Sequence, residues 1–324
     1  MTTELLPLTQ LFTDDALAQH YDRVETATLR SGLRMAYALH GDDDAPEKVL
    51  LIMGLLGDKE AWLPLLSAFN ASAERQRYQF VTFDNRGVGG TDKPWGRYTT
   101  SGMAADAIQL LDHLGWTMAH VVGASMGGMI AQELASLYAH RVQSLALLVT
   151  TPSFVWGPWP GWAQLSGYWA IATSLLFPSH HTAASTMLYV LFPDEYLGTP
   201  VHGADDVTTR AVLYEHHMAR QARGAPALSG VLGQYAAVAS HAMSYGRLRA
   251  VQAAAYPILV IGAKQDRMLH PDHSTQLYDA LRGPLTKNVV FHASGHDVHV
   301  QHRSDVAASL LAHFAKCKAN AALE

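Results

Sequence analysis

Apolar strand-like runs alternate with helix-like segments in two separate parts of the chain, and this alternation restricts the fold more than any other feature. The strand-like runs are residues 48–53, 80–84, 119–124, 142–149, 256–262 and 287–292. Segments with apolar residues at helical spacing are 101–116, with Ser101 as its N-cap, then 126–138, 273–281 and 304–315. Strands that are apolar throughout are typical of a parallel sheet covered by helices on both faces. The sequence therefore predicts an α/β fold with a mostly parallel sheet flanked by helices.

Two further segments complete the predicted architecture. Residues 23–30 and 33–41 alternate at period two around a Ser-Gly turn, which predicts an antiparallel hairpin at one edge of the sheet. Residues 153–245 show no strand ladder and contain several helical stretches. Because they lie between two strands of the predicted sheet, we expect an inserted helical cap over residues 153–245. The core domain then comprises residues 1–152 and 246–324.

Composition and charge argue against several classes of protein. The 324 residues are 49% hydrophobic, which is enough for a large core, and the net charge of −5 comes without a basic block. No apolar stretch reaches the roughly 20 residues of a membrane-spanning helix, and the N-terminus has no basic leader. The single cysteine, Cys317, cannot form a disulfide within the chain. We therefore expect a cytoplasmic protein without a nucleic-acid partner or a membrane span, and its oligomeric state stays open.

The turn between the run 119–124 and the helix that follows has the pattern G-x-S-x-G, from Gly123 to Gly127, with Ser125 at its centre. In this context the serine occupies a strained strand-to-helix turn that exposes its hydroxyl above the sheet, near the positive end of the helix. The flanking glycines leave room where a Cβ would collide with neighbouring chain. The motif predicts Ser125 as a nucleophile.

A serine hydroxyl needs a base to take its proton and an acid to orient that base. Chains that carry this turn place the acid and then the histidine after later strands. Asp266 follows the run 256–262 and His296 follows the run 287–292. Asp272 is better placed at a helix start, and Asp297 adjoins the histidine and would point elsewhere. The expected catalytic triad is Ser125, Asp266 and His296.

Two backbone N–H groups are expected to stabilise the oxyanion of acyl transfer. One belongs to Met126, directly after the serine, and the other to Leu55, in the loop after the run 48–53. Gly54 and Gly57 give that loop the freedom to point an amide at the site. Histidines are abundant, at 18, but none shows a recognisable metal-ligand spacing, so we expect neither a metal nor another cofactor.

The segments LIMGLLGDKEAW, FDNRGVGGTDKP, VVGASMGGMIAQELA, PILVIGAKQDRMLHP and ASGHDVHVQH occur in this order. As a set they resemble the α/β-hydrolase superfamily, and the wording of the second and third is similar to a group of mostly fungal serine hydrolases. The resemblance implies an eight-stranded sheet with a helical cap over the active site, and structural roles for Asp84 and Arg86. Many such proteins begin the oxyanion loop with His-Gly, whereas this chain has Met53-Gly54. The serine nucleophile argues against the dehalogenases and epoxide hydrolases of this fold, which use aspartate.

The cap is expected to select the substrate. Trp156, Trp159 and Trp162 form either an apolar acyl pocket or the core of the cap itself. Gln234 and His241 either line the site or satisfy backbone groups. No arginine clamp is evident in the aromatic segment, which favours a neutral, apolar ester as the small-molecule substrate.

Three functions fit this set of residues. The first is a serine hydrolase that cleaves a carboxylic ester through an acyl-enzyme. The second is a carbon–carbon bond hydrolase or perhydrolase that uses the same triad. The third is a small-molecule receptor with little turnover, because a fold does not by itself decide function.

Overall fold

The computed structural model describes residues 5–317, apart from the side chain of Asp205. The strands in this part of the chain are β1 (Val24–Thr28), β2 (Arg34–His40), β3 (Glu47–Ile52), β4 (Tyr78–Phe83), β5 (Ala119–Ala124), β6 (Val142–Leu148), β7 (Pro200–Val201), β8 (Ala204–Thr208), β9 (Ile258–Ala263) and β10 (Thr286–Phe291).

The α-helices in the same residues are α1 (Leu8–Leu11), α2 (Asp14–His20), α3 (Leu63–Asn70), α4 (Thr100–His113), α5 (Met126–Leu137), α6 (Trp162–Leu176), α7 (His180–Leu191), α8 (Asp194–Leu197), α9 (Thr209–Ala222), α10 (Leu228–Ser240), α11 (Tyr245–Ala253), α12 (Asp272–Leu281), α13 (Val298–Gln301) and α14 (Arg303–Phe314). Short 3₁₀ helices occupy Lys59–Trp62, Arg75–Arg77 and Ala139–Arg141. None of the helices between residues 5 and 317 combines the length and apolarity that crossing a bilayer requires.

Eight strands form one sheet in the order β1-β2-β4-β3-β5-β6-β9-β10. The edge pair β1–β2 is the predicted hairpin, β2 also pairs antiparallel with β4, and the remaining neighbours are parallel. The mostly parallel eight-stranded sheet is therefore confirmed. In a parallel sheet the carboxyl ends of the strands lie along one edge, so the loops after β3, β5, β9 and β10 meet there.

Helices cover both faces of the sheet, and each covered face has its own apolar core. One core joins the sheet to α4, α5, α11 and α12 through residues such as Leu111, Ile130 and Leu277. The other joins the sheet to α3 and α14 through residues such as Phe69 and Leu310. Burial on both faces explains why the central strands are apolar throughout.

Two local predictions were wrong. Thr99, not Ser101, caps α4, because the Thr99 side chain accepts the N–H of Gly102 at 3.0 Å. The chain between β6 and β9 also contains a small antiparallel ribbon, β7–β8. Its strands have only two and five residues, and their sequence lacks the apolar alternation by which a strand is recognised.

Most of the chain between β6 and β9 is helical. Within it, α7, α8 and α9 share a small apolar cluster formed by Leu188, Leu197 and Leu213, to which Val300 of α13 is added. These helices therefore pack on the carboxyl end of the sheet, above the loop that follows β10.

Candidate active site

Ser125 lies in the strained turn that its motif predicts. It is the N-cap of α5, with φ 54° and ψ −119°, in a backbone region that residues other than glycine rarely adopt. A Cβ on Gly127 would lie 1.9 Å from the carbonyl oxygen of Ile52 in β3, and a Cβ on Gly123 would lie 2.3 Å from the carbonyl oxygen of Gly127. The two glycines therefore allow β5, α5 and β3 to approach closely enough to hold the serine in this turn.

Asp266 and His296 follow β9 and β10 and form a buried hydrogen-bonded pair. His296 Nδ1 lies 2.7 Å from Asp266 Oδ2, and both side chains are more than nine-tenths buried. The second carboxylate oxygen, Oδ1, accepts the backbone N–H groups of Met268 at 2.7 Å and Leu269 at 2.9 Å. The two amides occupy Oδ1, so Oδ2 is the oxygen that faces the imidazole.

The surroundings of His296 favour its protonated form. Burial is the largest single influence and lowers the pKa of this imidazole, but the charge and hydrogen bond of Asp266 together with the charge of Asp297 outweigh it. The net pKa lies above the usual value for histidine. In the neutral ring the proton belongs on Nδ1, where the carboxylate accepts it. Nε2 is then left with a free lone pair and can act as a base.

Ser125 and His296 line a common cavity of about 730 Å³. Asp266 reaches it through its bond to His296. Helices from the segment between β6 and β9 supply an apolar part of the wall, including Ile171 of α6, Met187 and Val190 of α7, and Leu213 of α9. The structure therefore brings the three expected triad residues together at a cavity that has an apolar wall.

The expected oxyanion donors adjoin the serine. Leu55 lines the cavity, and its backbone N–H donates no hydrogen bond within residues 5–317. Met126 is the first residue of α5, where the N–H has no partner inside the helix. A Cβ on Gly54 would lie 3.1 Å from Ser125 Cβ, so the loop after β3 passes directly beside the serine. Both amides are available to an oxyanion on the serine adduct.

The structure does not bring the three predicted aromatic substrate-binding residues to this cavity. Trp159 and Trp162 are each 88% exposed, and Trp156 packs on the ring of Tyr245 with a centroid distance of 4.5 Å. Trp162 begins α6 and points outward, and α6 contributes Ile171, from its other side, to the wall. The three tryptophans are therefore not part of the cavity lining.

Gln234 and His241 also lie outside the cavity lining, because both satisfy polar groups within the fold. The Gln234 amide joins the N–H of Leu56 to the carbonyl oxygen of Arg86, and His241 Nδ1 lies 2.9 Å from Thr100 Oγ1. Gln234 is 0% exposed and His241 is 1% exposed. Their geometry fits the second alternative from the sequence, which is hydrogen bonding within the protein.

One wall of the cavity is polar, and the sequence did not reveal it. His216, His217 and Arg220 follow the apolar Leu213 on one face of α9 at helical spacing, and all four line the cavity. Arg220 makes two bonds to the carboxylate of Asp58, at 3.0 and 2.9 Å. The spacing 213, 216, 217, 220 was visible in the sequence, but nothing there indicated that this face of the helix turns toward the serine.

Asp84 and Arg86 occupy structural positions, as the resemblance implied. Asp84 is fully buried and accepts the N–H groups of Lys59 and Gly90, each at 2.7 Å, while the Lys59 ammonium lies 3.1 Å away. Arg86 binds both carboxylate oxygens of Asp106, at 2.5 and 2.6 Å. These bonds fix the loops after β3 and β4 beside the cavity.

Within residues 5–317, no three His, Cys, Asp or Glu side chains form a group suited to a metal ion. The chemistry available to the residues around the cavity is nucleophilic attack by a serine with general acid–base assistance from a histidine.

Comparisons with known proteins agree with this architecture. A family model described as "alpha/beta hydrolase fold" matches residues 48–303. The "Putative non-heme bromoperoxidase BpoC" of Mycobacterium tuberculosis is 38% identical over 112 residues, which are 34% of this chain and 41% of that protein. The "Putative carbamate hydrolase RutD" of Caulobacter vibrioides is 38% identical over 114 residues, 35% of this chain and 40% of that protein. The match thus spans about two fifths of these relatives.

Solved structures resemble the chain over most of its length. The enol-lactonase from Burkholderia xenovorans LB400 superposes with a TM-score of 0.71 at 19% identity, covering 90% of this chain and 100% of that one. The BpoC structure from Mycobacterium tuberculosis superposes with a TM-score of 0.67 at 25% identity, covering 92% and 98%. These similarities extend the common fold beyond the segments that align in sequence.

Proposed function

The chain belongs to the α/β-hydrolase family, and on that premise we propose that it is a serine hydrolase that cleaves carboxylic esters through an acyl-enzyme. The observation that carries the proposal is the buried His296–Asp266 hydrogen bond of 2.7 Å beside the same cavity as Ser125 in its strained turn. We also propose a cytoplasmic location. The likeness to mostly fungal serine hydrolases stays a prediction.

In the proposed reaction, Ser125 Oγ attacks the ester carbonyl while His296 Nε2 takes the hydroxyl proton. Asp266 holds the proton on Nδ1 and stabilises the imidazolium that forms. The amides of Leu55 and Met126 stabilise the oxyanion. His296 then returns the proton to the departing alcohol, and water cleaves the acyl-enzyme by the same steps. No cofactor is required for either half of the reaction.

The cavity supports a small neutral ester with an apolar acyl or aromatic moiety. Its volume of about 730 Å³ is of the size that small-molecule sites commonly have. Ile171, Met187 and Val190 give it an apolar wall. Because that wall comes from helices between β6 and β9, we also propose that residues 153–245 act as a cap that selects the substrate.

Hydrolysis of a p-nitrophenyl ester series, from acetate to long acyl chains, tests this proposal. We expect Ser125→Ala to lower kcat by about 10³-fold or more, because removing a triad member abolishes the nucleophilic route. Ser240→Ala is the matched control, since Ser240 is exposed at the end of α10 and only bonds to carbonyl groups of its own helix. It should retain the kcat of the unchanged protein.

A fluorophosphonate probe separates two kinds of failure. If no ester is hydrolysed but the probe labels Ser125, the nucleophile stands and the ester assignment is wrong; a β-diketone substrate would then test carbon–carbon cleavage. If neither hydrolysis nor labelling occurs, the serine-hydrolase proposal fails, and tight ligand binding without turnover would support a receptor.

A further inference from the structure

We propose that Gln234 is a positioning residue that holds the oxyanion loop, residues 54–57, in its active conformation from the cap. The inference rests on the proposed function, because the loop matters to catalysis only if Leu55 donates to an oxyanion. It assigns Gln234 a role in kcat although its side chain does not line the cavity.

The oxyanion loop has an unusual turn. The N–H of Gly57 donates to the carbonyl oxygen of Gly54 at 3.2 Å and closes a four-residue turn. Leu56 at its third position has φ 56°, whereas Leu55 at the second has no positive φ. This combination is typical of a type II turn, in which glycine is the usual third residue. A leucine there is strained, so the surrounding structure must hold it.

Gln234 supplies that hold. It lies on α10, is fully buried, and its Oε1 accepts the N–H of Leu56 at 2.8 Å. Its Nε2 donates to the carbonyl oxygen of Arg86 at 2.9 Å, so both ends of the amide are occupied. Arg86 is itself fixed by its paired bonds to Asp106. The amide thus connects the oxyanion loop to a rigid anchor in the loop after β4.

Loss of this bond has a specific consequence. The N–H of Leu56 belongs to the central peptide of the turn, and rotation of that peptide converts a type II turn into a type I turn with negative φ at the third position. Leu56 would be relieved of strain by this rotation. The N–H of Leu55 belongs to the preceding peptide of the same turn, so a turn that is free to change type would no longer hold that N–H in one direction toward the adduct on Ser125. A misplacement of about 1 Å in such a group costs about 10²-fold in rate.

The test compares Gln234→Met with Gln79→Met in p-nitrophenyl ester hydrolysis. Methionine keeps the length of the side chain and removes both hydrogen bonds. Gln79 is an equally buried amide, 2% exposed, that joins Lys48 Nζ at 2.8 Å to Asp43 Oδ1 at 2.6 Å, at the first residues of β4 and away from the cavity. We expect Gln234→Met to lower kcat by about 10- to 100-fold with little change in KM, whereas Gln79→Met keeps kcat.

A conservative variant and a measurement without substrate complete the test. Gln234→Glu keeps an acceptor for the N–H of Leu56, and its buried carboxyl in the protonated form also keeps a donor to the Arg86 carbonyl. It should therefore retain more of kcat than Gln234→Met. Hydrogen exchange of the Leu56 amide should be faster in Gln234→Met and unchanged in Gln79→Met. Because exchange needs no catalysis, it tests the hold on the loop even if Ser125→Ala shows the ester proposal to be wrong. Unchanged exchange, unchanged kcat in Gln234→Met, or equal losses in the Met and Glu variants would overturn the inference.

Discussion

At the residue scale, the carboxylate of Asp266 is fixed by three donors. The amides of Met268 and Leu269 take one oxygen and the imidazole of His296 takes the other. The side chain cannot turn without breaking at least one of these bonds. The backbone of the loop after β9 therefore determines, through Asp266, where the His296 ring lies.

This geometry predicts a large effect for Asp266→Asn. The amide oxygen would stay with the two backbone N–H groups, so the amide nitrogen would face His296 Nδ1 and force the ring proton onto Nε2. The base would then be in the wrong tautomer, and we expect kcat to fall by about 10⁴-fold. Asp272→Asn is the control, because Asp272 is mainly exposed at the start of α12. Similar losses in the two variants would contradict the assignment of the acid.

The pH dependence of the rate follows from the same contact. Because the pKa of His296 is raised and catalysis needs its neutral form, the rate should increase with pH through a midpoint above the usual histidine value of about 6.5. A kcat/KM profile measures that midpoint. In a variant without the Asp266 charge, burial is left to lower the pKa, so the midpoint of the residual activity should move down. A midpoint that rises in that variant would show that another group titrates.

At the element scale, the contact between β5, α5 and β3 limits which residue can follow the serine turn. Gly127→Ala would place a Cβ 1.9 Å from the carbonyl oxygen of Ile52. Because the nearest atoms are backbone atoms, only a movement of the backbone could relieve this clash. We expect a loss of at least about 2 kcal/mol in the free energy of unfolding, measured by urea denaturation.

Gly246→Ala is the matched control for that substitution. Gly246 lies in α11 with Ser244 Oγ as its nearest neighbour, 3.9 Å from an added Cβ. Alanine there should stabilise by about 0.5–1 kcal/mol. If Gly127→Ala is as stable as Gly246→Ala, the close approach of the three elements is not what requires glycine.

The sheet could be predicted from the sequence because burial on both faces leaves a direct mark, a short and continuously apolar run. The grouping of Ser125, Asp266 and His296 also followed, since each comes just after a strand of a parallel sheet and the strand ends meet. No comparable rule places the side chains of the segment between β6 and β9. Which face of α6 or α9 turns toward the cavity depends on tertiary packing, so the sequence does not indicate that Trp162 points outward or that Arg220 lines the cavity.

At the scale of the whole molecule, several histidines are buried in their neutral form. Burial lowers the pKa of His40, His241 and His313 to about 3 each. His40 illustrates the cause, since its ring is enclosed at the sheet and bonded to the carbonyl of His20 at 2.7 Å and to Thr82 Oγ1 at 3.0 Å. Neutral imidazoles are thus part of the packed interior.

These groups predict a loss of stability in mild acid. Between about pH 6.5 and 3 the unfolded chain binds protons at these histidines and the folded chain does not, so the free energy of unfolding falls as pH falls. Each contributes up to about 1.4 kcal/mol per pH unit. His296 has the opposite sign, because its raised pKa favours the folded state below its titration. It is one group against these three and others with a lowered pKa, such as His216 and His217.

Urea denaturation from pH 7 to 5 measures this dependence, and paired substitutions locate its source. His40→Gln should give a shallower dependence than the unchanged protein, because one proton fewer separates the folded and unfolded states. His140→Gln replaces an exposed histidine and should leave the slope as it is. A free energy of unfolding that stays constant over this range, or a slope that responds equally to both substitutions, would contradict the conclusion that buried neutral histidines determine the acid stability of the fold.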